Sequence, residues 1–388
     1  MIIGITKESL LNETRVALTP ANVGALSAQG ILVLIEEGAG DSAGFNDSKY
    51  IEAGAKSCHS KQEVIDQANI LVQVNAAELA QSKLLKRSQW LIGMMDPLGE
   101  PQLIAQLAEQ GVCGIAMELI PRISRAQNMD VLSSMATIAG YKSVVMAANL
   151  SSRIFPMMMT AAGTLNPTRL FVMGAGVAGL QAAAAAKRLG AVVEAYDVRA
   201  AARDQILSVG AKPIELDLET DSAEGQGGYA KEQGEDFIAR QRELMSDVIA
   251  QQDIVITTAA IPGAKSPVLI TKEMVTKMKP GAVIIDLASE RGGNCELTQH
   301  AKTIHCEGVT IVGPQNITAS VAHHASQLYG KNIENLLSLM SDGKGSLSLD
   351  FNDEIIQQIV VCDQDQVCHS RIRELLQLPS LTTDEEVA

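Results

Sequence analysis

The sequence predicts an α/β fold of two domains, each built on a parallel, doubly wound sheet. Short runs of Val, Ile and Leu alternate with helical periodicity along almost the whole chain, which is typical of parallel sheets covered by helices on both faces. The length of 388 residues is too great for one ordinary core and suits two domains of about 150 to 200 residues. Hydrophobic residues make up 46% of the chain, so both cores can be well filled.

The first third of the chain reads as one α/β unit. A helix is predicted in "TPANVGALSAQG", with Thr19 as its N-cap and Pro20 in its first turn. The predicted strands are "MIIGIT", "ILVLIEE", "ILVQV", "WLIGMM" and "GIAMEL".

A second unit begins with strand, glycine turn and Ala-rich helix, which Gly190 closes. Its strands are predicted at "RLFVM", "AVVEAYD", "KPIELDL", "DIVITTA", "AVIIDLA" and "VTIVG". Residues 219–236 interrupt this rhythm with glycines and acids and are expected to form a mobile surface insertion. The last part of the chain holds a helix and two short strands and is expected to return to the first domain. We therefore predict domains of 1–136 plus 318–388, and of 137–317.

Charge and cysteine usage exclude several classes of function. A formal net charge of -14 argues against a nucleic-acid partner, because phosphate binding needs concentrated Lys and Arg. The six cysteines are scattered without a CxxC pair, so neither a disulfide framework nor a metal site is predicted. The N-terminus lacks the layout of a signal peptide, and no stretch is expected to span a bilayer.

Gly174, Gly176 and Gly179 form a G-x-G-x-x-G pattern between a strand and a helix. The first glycine allows a tight turn, the second lets backbone amides approach a pyrophosphate, and the third lets the helix pack on the strand. Asp197 ends the next strand, where a carboxylate accepts a hydrogen bond from a ribose hydroxyl and repels a 2'-phosphate. This pattern predicts a Rossmann domain that favours NAD(H). Arg199 and Arg203 leave NADP(H) open, since an arginine near this position can accommodate the phosphate.

The first unit contains a similar glycine run, "EEGAGDSAG", in which Gly38, Gly40 and Gly44 follow a strand. Its spacing is one residue too long and no good helix follows, so an ordinary loop is the stronger prediction. Two Rossmann-like domains with one competent nucleotide turn suggest a nucleotide cleft between them, where the reactive ring of the cofactor would lie.

Groups for ordinary dehydrogenase chemistry are scarce. Most dehydrogenases need a His or Lys to exchange a proton as the hydride moves, yet no histidine lies between His59 and His300. His323 and His324 remain candidates for a base, with a structural or surface role as the stronger alternative. If hydride passed directly between two nicotinamide rings, no base would be required.

Several motifs together carry a family resemblance. They run in order through nearly the whole chain to about residue 350: "NETRVALTP", "PRISRAQNMDVLSSMATIAGY", "GAGVAGLQAAAAAKRLGA", "DVRAA", "GGYAKE", "TTAAIPG", "MKPGAVIIDLA" and "GGNCELT". In these the chain resembles the NAD(H)-binding domain I in the alpha subunit of Re/Si-specific, proton-translocating NAD(P) transhydrogenases. The related alanine dehydrogenases share the fold and the "RVALTP" segment. Their substrate-handling lysine and histidine have no counterpart here, and Arg15 is expected to be structural.

The resemblance implies a homodimer that binds NADH between its two Rossmann-like domains. NADP+ would be held by a separate domain III, or beta subunit, and a membrane domain II would couple hydride transfer to proton movement. The protein would then be cytoplasmic and peripheral to the inner membrane as part of a membrane complex.

The resemblance also carries site residues over to this sequence. Arg122, Gln127 and Asp130 match the loop that holds the nicotinamide end, and Gln127 would orient the ring. Gly228 and Tyr229 match the mobile loop that closes over bound nucleotide. Ala260 stands where a larger apolar residue is usual. The remaining predicted contacts with the nucleotide are Ile123, Ser124, Ser133, Gly174, Gly176, Val177, Gly179, Asp197, Val198, Arg199 and Gln241.

Two alternatives stay open on the sequence. One is an amino-acid oxidoreductase similar to alanine dehydrogenase, and the other is a non-enzymatic module that senses NAD(H). Turnover of pyruvate with ammonium would distinguish the first, and silence in all hydride-transfer assays would favour the second.

Overall fold

A computed structural model describes residues 1–216, 234–260 and 264–381 of the chain. Two compact units are present: Met1–Met135 together with the chain from Ala319 onward, and Ala136–Thr318. Each is built on one large sheet whose strands are mostly parallel and alternate with helices along the chain. The predicted α/β fold is therefore confirmed.

The described strands and helices are numbered in chain order. The strands are β1 (Ile2–Ile5), β2 (Leu32–Glu36), β3 (Lys56–Cys58), β4 (Ile70–Asn75), β5 (Trp90–Met94), β6 (Cys113–Ala116), β7 (Met158–Thr160), β8 (Gly163–Leu165), β9 (Arg169–Met173), β10 (Val192–Tyr196), β11 (Lys212–Pro213), β12 (Ile254–Thr257), β13 (Val283–Asp286), β14 (Lys302–Cys306), β15 (Val309–Gly313), β16 (Val360–Asp363) and β17 (Gln366–Val367). The helices are α1 (Pro20–Ala28), α2 (Asp47–Glu52), α3 (Lys61–Gln67), α4 (Ala77–Gln81), α5 (Pro101–Glu109), α6 (Val131–Leu150), α7 (Val177–Arg188), α8 (Ala202–Ser208), α9 (Glu235–Ala250), α10 (Lys272–Thr276), α11 (Ala322–Met340), α12 (Glu354–Ile359) and α13 (Ser370–Leu375).

The sheet of the first unit has the order β17-β16-β6-β5-β4-β1-β2-β3. The pairs from β6 to β3 are parallel, whereas β16 pairs antiparallel with both β6 and β17. Central strands such as β4 are buried on both faces, as parallel strands between helix layers must be. The C-terminal strands thus close one edge of this sheet.

The sheet of the second unit has the order β11-β10-β9-β12-β13-β15-β14. All its pairs are parallel except the edge pair β14 and β15. The Ala-rich helix α7 packs on β9 and β10 through small buried residues such as Ala182 and Ala186. Small side chains allow this close packing, and Gly190, with φ of 91°, ends the helix as predicted.

Helix α6 joins the two units in sequence and is strongly apolar. By length and composition it is the described helix that could cross a membrane, with a hydropathy of 1.3. Core helices of water-soluble proteins pass the same test. A Cβ added at Gly140 would press against the Ala178 carbonyl group, with the carbonyl carbon at 3.0 Å, so α6 crosses α7 at backbone contact.

Three differences from the predicted elements have physical reasons. The strand predicted at 212–218 is wrong beyond Pro213 for the described residues, because pairing with β10 ends there. The hairpin β7 and β8 was not predicted, since all its residues are exposed and show no alternating pattern. Strand β14 was also missed, because its exposed edge position removes the apolar pattern.

Candidate functional site

The glycine turn of the second unit connects β9 to α7. Gly174 has φ of 100°, which only glycine adopts without strain, and its carbonyl oxygen accepts a hydrogen bond from the Thr258 hydroxyl at 2.9 Å. Gly176 is the N-cap of α7, so Val177 is the first residue of that helix. The backbone amides in the first turn of α7 have no partner within the helix, so they point out of its N-terminus beside Gly176.

The other two glycines are required for opposite reasons. A Cβ at Gly179 would overlap the Gly174 carbonyl oxygen and lie 2.9 Å from its carbon, so this glycine lets α7 pack against the turn. A Cβ at Gly176 would have no heavy atom within 4 Å. The space beside Gly176 is open to an approaching ligand, and a helix N-terminus favours an anion there.

Asp197, directly after β10, is bound to this turn. Its carboxylate accepts hydrogen bonds from the Ala175 amide at 2.7 Å, from the Arg199 amide at 2.9 Å and from the Arg199 guanidinium at 2.8 and 2.9 Å. Asp197 is 7% exposed and Arg199 15% exposed. The Arg199 side chain is thus directed at Asp197 in this structure.

The remaining predicted contacts of the second unit lie around the same edge of the sheet. Val198 packs against the core beside Tyr196, and burial raises the pKa of the Tyr196 hydroxyl to about 12. Gln241 is buried on α9, with its amide next to that hydroxyl. Ala260 is exposed, three residues after the end of β12. Gly228 and Tyr229 fall within residues 217–233, outside the described part of the chain.

Asn294 was missed in the sequence as a residue that shapes this edge. Its side chain forms two hydrogen bonds with the backbone of Ala259. The Asn294 Oδ1 accepts from the Ala259 backbone amide at 3.0 Å, and the Asn294 Nδ2 donates to the Ala259 carbonyl oxygen at 2.8 Å. Asn294 is itself held by the fully buried Asp286, which accepts from its backbone amide at 2.8 Å. The only sequence signal was the "GGN" run after a predicted strand, which gave no indication of the partner.

In the glycine run of the first unit, other residues of the protein occupy the space and the donor that a phosphate would use. The Gly38 amide donates to both carboxylate oxygens of Asp47, at 2.8 and 3.0 Å. A Cβ at Gly40 would meet the Tyr50 ring at 2.6 Å, so this glycine serves packing. The Gly38 amide, which a bound phosphate would need as a donor, is already hydrogen-bonded to the Asp47 carboxylate. This agrees with the prediction of an ordinary loop.

The second group of predicted residues lies between β6 and α6 in the first unit. Residues Ser124–Met129 form a short 3-10 helix. Ala126 and Met129 are buried beneath it, whereas Gln127 is exposed. Within the described part of the chain the Gln127 side chain has no hydrogen-bond partner, so its amide is available to a ligand.

Asp130 is the N-cap of α6, and Ser133 lies in the first turn of that helix. The Asp130 carboxylate accepts from the Ser133 backbone amide at 2.9 Å and from its hydroxyl at 2.5 Å. The first of these hydrogen bonds satisfies a backbone amide that has no partner within the helix. The helix dipole also stabilises a negative charge at this end of the helix. Asp130 therefore has a structural partner in addition to any contact with a ligand.

The other predicted residues of this segment precede the 3-10 helix or begin it. Arg122 and Ser124 are exposed and Ile123 is partly buried. Arg122, Ile123, Ser124, Gln127 and Asp130 thus lie on one short stretch whose buried residues fix it to the first unit.

His323 has structural contacts in the first unit. Its ring stacks on Phe45 with centroids 4.4 Å apart, and its Nδ1 lies 2.9 Å from the Ala43 carbonyl oxygen. These contacts fix the turn after β2 and favour the structural alternative for His323. His324 is exposed at the start of α11 and contacts His323 edge to face.

Comparison with known proteins matches both halves of the chain. Residues 4–139 match the family model "Alanine dehydrogenase/PNT, N-terminal domain", and residues 143–370 match "Alanine dehydrogenase/PNT, C-terminal domain". Both groups of site residues described above lie within these matches.

Relatives and solved structures of similar extent are known. The chain is 44% identical over 376 residues to the first part of the NAD(P) transhydrogenase alpha subunit of Rhodospirillum rubrum, covering 95% of this chain and 98% of the relative. It is 31% identical to an alanine dehydrogenase of Methanococcus maripaludis, covering 83% and 82%. A solved transhydrogenase from Sinorhizobium meliloti has 41% identity and a TM-score of 0.83, covering 95% of this chain and 99% of that one.

Proposed function

The chain belongs to the alanine dehydrogenase/PNT family, among its NAD(P) transhydrogenase alpha subunits, and we propose that it is the component that binds NAD(H). It then exchanges a hydride directly with NADP(H) held by a separate NADP(H)-binding domain III, or beta subunit. The nicotinamide is positioned by Gln127, with Arg122, Ile123, Ser124, Asp130 and Ser133 around it.

The observation that carries this proposal is the chemistry of the segment around Gln127. The side chain offers an amide, which can both donate to and accept from the carboxamide of a nicotinamide ring. The stretch from Arg122 to Ser133 contains no Lys or His. The one carboxylate in this stretch, Asp130, accepts hydrogen bonds from the Ser133 amide and hydroxyl. A segment that positions a ring without the His or Lys that most dehydrogenases use suits direct hydride exchange, because that reaction moves no proton.

The open space beside Gly176 supports nucleotide binding by the second unit. Backbone amides at the start of α7 are available to a pyrophosphate, as Gly176 adds no side chain in front of them. Asp197 lies on the same turn and would face the adenosine ribose.

The assay that tests this function uses the full chain in two mixtures. NADH is first offered with pyruvate and ammonium, and then with an NADP(H)-binding domain III and NADP+. We expect hydride transfer only in the second mixture. Turnover of pyruvate would replace the proposal with an alanine-dehydrogenase-like reaction, and silence in both mixtures would favour an NAD(H)-sensing module.

Two features of the first unit favour hydride transfer to NADP+ over turnover of pyruvate. Strands β4 and β5 and the residues that follow them, "ILVQVNAAEL" and "WLIGMMDPL", contain no lysine or histidine that could handle pyruvate. Arg15 is buried, and the fully buried carboxylate of Glu13 binds it through two contacts of 2.7 and 2.6 Å. This pairing supports the predicted structural role of Arg15.

Replacing Asp197 with Asn is expected to shift the site towards NADP(H). The variant keeps an acceptor for the Ala175 amide but removes the charge that repels a 2'-phosphate and that holds Arg199. We expect the ratio of the Kd for NADPH to the Kd for NADH to fall by about tenfold or more, corresponding to about 1.4 kcal/mol. Titration of nicotinamide fluorescence measures both constants, and an unchanged ratio would contradict the assigned role of Asp197.

The remaining nucleotide contacts are proposed from the resemblance. Val177, Val198, Gln241 and Ala260 would line the adenosine and pyrophosphate half of the site. Gly228 and Tyr229 would belong to a loop that closes over bound nucleotide, which predicts that substitution of Tyr229 mainly weakens affinity.

We also propose that the chain works at the cytoplasmic face of the inner membrane as a peripheral component of a complex. A membrane domain II would couple hydride transfer to proton translocation. The close crossing of α6 and α7 supports a peripheral rather than a membrane-spanning role, because the most apolar described helix packs against another helix of the same chain.

The hairpin of β7 and β8 supports the proposed homodimer. Met157, Met159 and Leu165 are 59%, 78% and 50% exposed, and no described residue pairs with the hairpin edges. An isolated two-stranded hairpin is only marginally stable in water, so a covering surface would stabilise it. A second copy of the chain is the proposed occupant.

Replacing Met159 with Glu is expected to weaken the dimer by about 100-fold or more, since a buried anchor of an interface contributes about 2 to 4 kcal/mol. Sedimentation equilibrium measures the dissociation constant. Leu207→Glu is the matched control, because Leu207 is also exposed, at 49%, but lies on α8. An unchanged constant for the Met159 variant, or a monomeric wild type, would remove the hairpin from the interface.

A further inference from the structure

The 3-10 helix Ser124–Met129 is tied to the C-terminal region of the chain at both ends. Near its start, the Arg125 guanidinium donates to the two carboxylate oxygens of Asp353 at 2.6 and 2.9 Å. Near its end, the Asn128 carbonyl oxygen accepts from the side-chain amides of Asn332 and Asn335, both at 2.8 Å. The partners lie more than 200 residues away in sequence.

The Asp353 carboxylate is held in place by its own helix. It is the N-cap of α12 and accepts from the Ile355 amide at 2.8 Å. Ile355, Ile356 and Ile359 bury this helix in the first unit. The hydrogen bonds from Arg125 lower the pKa of Asp353, so the carboxylate stays charged at neutral pH. Arg125 is therefore paired with a fixed rather than a mobile acid.

The asparagine pair is equally constrained. Asn332 and Asn335 are three residues apart on α11 and so lie on one face of the helix. Asn332 is only 5% exposed, and its Nδ2 has the Asn128 carbonyl oxygen as its partner, whereas its Oδ1 is buried with no hydrogen-bond partner among the described residues. Loss of the Nδ2 hydrogen bond would be costly, because a buried amide nitrogen without a partner is destabilising. Two donors use both lone pairs of the Asn128 carbonyl oxygen. The backbone at Asn128 is thus fixed by a helix that is itself packed along its length.

Gln127 lies between these two attachments. Arg125 precedes it by two residues and Asn128 follows it directly, while the buried Ala126 and Met129 hold the underside of the segment. The backbone that carries the exposed Gln127 side chain is therefore fixed before any ligand arrives. Fixing a contact residue in advance lowers the entropy that must be lost when the ring is positioned.

We propose that Asp353 and Asn335 are positioning residues for hydride transfer, which act on the nicotinamide through Gln127. They contact neither nucleotide nor reacting atoms in this scheme. The inference rests on the proposed function, and it gives the C-terminal region of the first unit a role beyond closing the edge of the sheet.

The test compares Asp353→Asn and Asn335→Ala in the full chain. Asn keeps the N-cap of α12 but removes the charged contacts of Asp353 with Arg125, leaving that guanidinium, among the described residues, only the longer contact of 3.4 Å to Glu354. Asn335 is only partly buried, so both variants should fold. Asp342→Asn is the matched control, because Asp342 also accepts backbone amides in an exposed turn, at 2.7 and 3.0 Å, without contacting the 3-10 helix. The measurements are amide exchange of residues 122–131, the Kd of NADH and the rate of hydride transfer to NADP+ on domain III.

In both variants we expect amide exchange of the segment to become about tenfold faster and hydride transfer about tenfold slower. The Kd of NADH should stay within about threefold, because the pyrophosphate and adenosine contacts are untouched. Unchanged exchange, or faster exchange with a wild-type transfer rate, would overturn the positioning role alone. Failure of the wild-type chain to transfer hydride would overturn the proposed function and this inference with it.

Discussion

Shortening Gln127 by one methylene, as Gln127→Asn, is expected to slow hydride transfer by about 100-fold. A displacement of about 1 Å in a reacting ring can cost this much, because transfer requires the two rings in near-attack geometry. Asn has the same amide and the same charge, so the NADH affinity should stay within about threefold. Single-turnover transfer from NADH to NADP+ on domain III measures the rate, and nicotinamide fluorescence measures the Kd.

The control for this variant is Gln102→Asn, the same change at an exposed residue of α5. Its transfer rate should equal that of the wild type. An equal loss of affinity and rate in Gln127→Asn would mean that the side chain contributes binding but no orientation. A wild-type rate would remove Gln127 from the site altogether.

Features whose physical cause is local could be predicted from the sequence. The strand, glycine turn and helix around Gly174 are specified within a few residues: the contact that forbids a side chain at Gly179 is with Gly174 itself. The same holds for Pro20 at the start of α1 and Gly190 at the end of α7. Local steric rules fix these elements whatever the rest of the chain does.

Features that depend on distant partners could not be predicted. The sequence showed that the segment around Gln127 is rich in polar residues, but offered no reason to pair Arg125 with Asp353, 228 residues away. The one signal at Asp353 was its place before an apolar run, which indicates an N-cap and nothing more. Asp197 shows a different limit, because its partner Arg199 is only two residues away but their ion pair depends on the rotamers of both side chains.

Exposure also hides structure from the sequence. The hairpin β7 and β8 is fully exposed, so its residues show no alternation between apolar and polar positions. Pattern-based prediction detects a strand by the face that it buries within its own chain. A strand that buries neither face within its own chain gives no such pattern.

The largest effect on stability is expected from Gly179→Ala. The new methyl group would overlap the Gly174 carbonyl oxygen and lie 3.1 Å from the Val172 side chain, so α7 must move away from β9. Overpacking of this kind costs about 3 kcal/mol. That corresponds to a Tm lower by roughly 6 to 12 °C, which calorimetry measures. Nucleotide affinity should fall as well, because the displaced helix carries the amides proposed to bind the pyrophosphate.

Gly176→Ala separates stability from binding at the same turn. Gly176 has φ of -75°, which Ala adopts without strain, and its Cβ would have no heavy atom within 4 Å, so the Tm should not change. The methyl group would stand in front of the amides at the start of α7 and raise the Kd of NADH by about 30-fold, or about 2 kcal/mol. Two alanines three residues apart would then differ: Gly179→Ala lowers both stability and nucleotide affinity, whereas Gly176→Ala lowers affinity alone. If Gly176→Ala bound NADH normally, the pyrophosphate could not lie on this turn, and the second unit would need another nucleotide site.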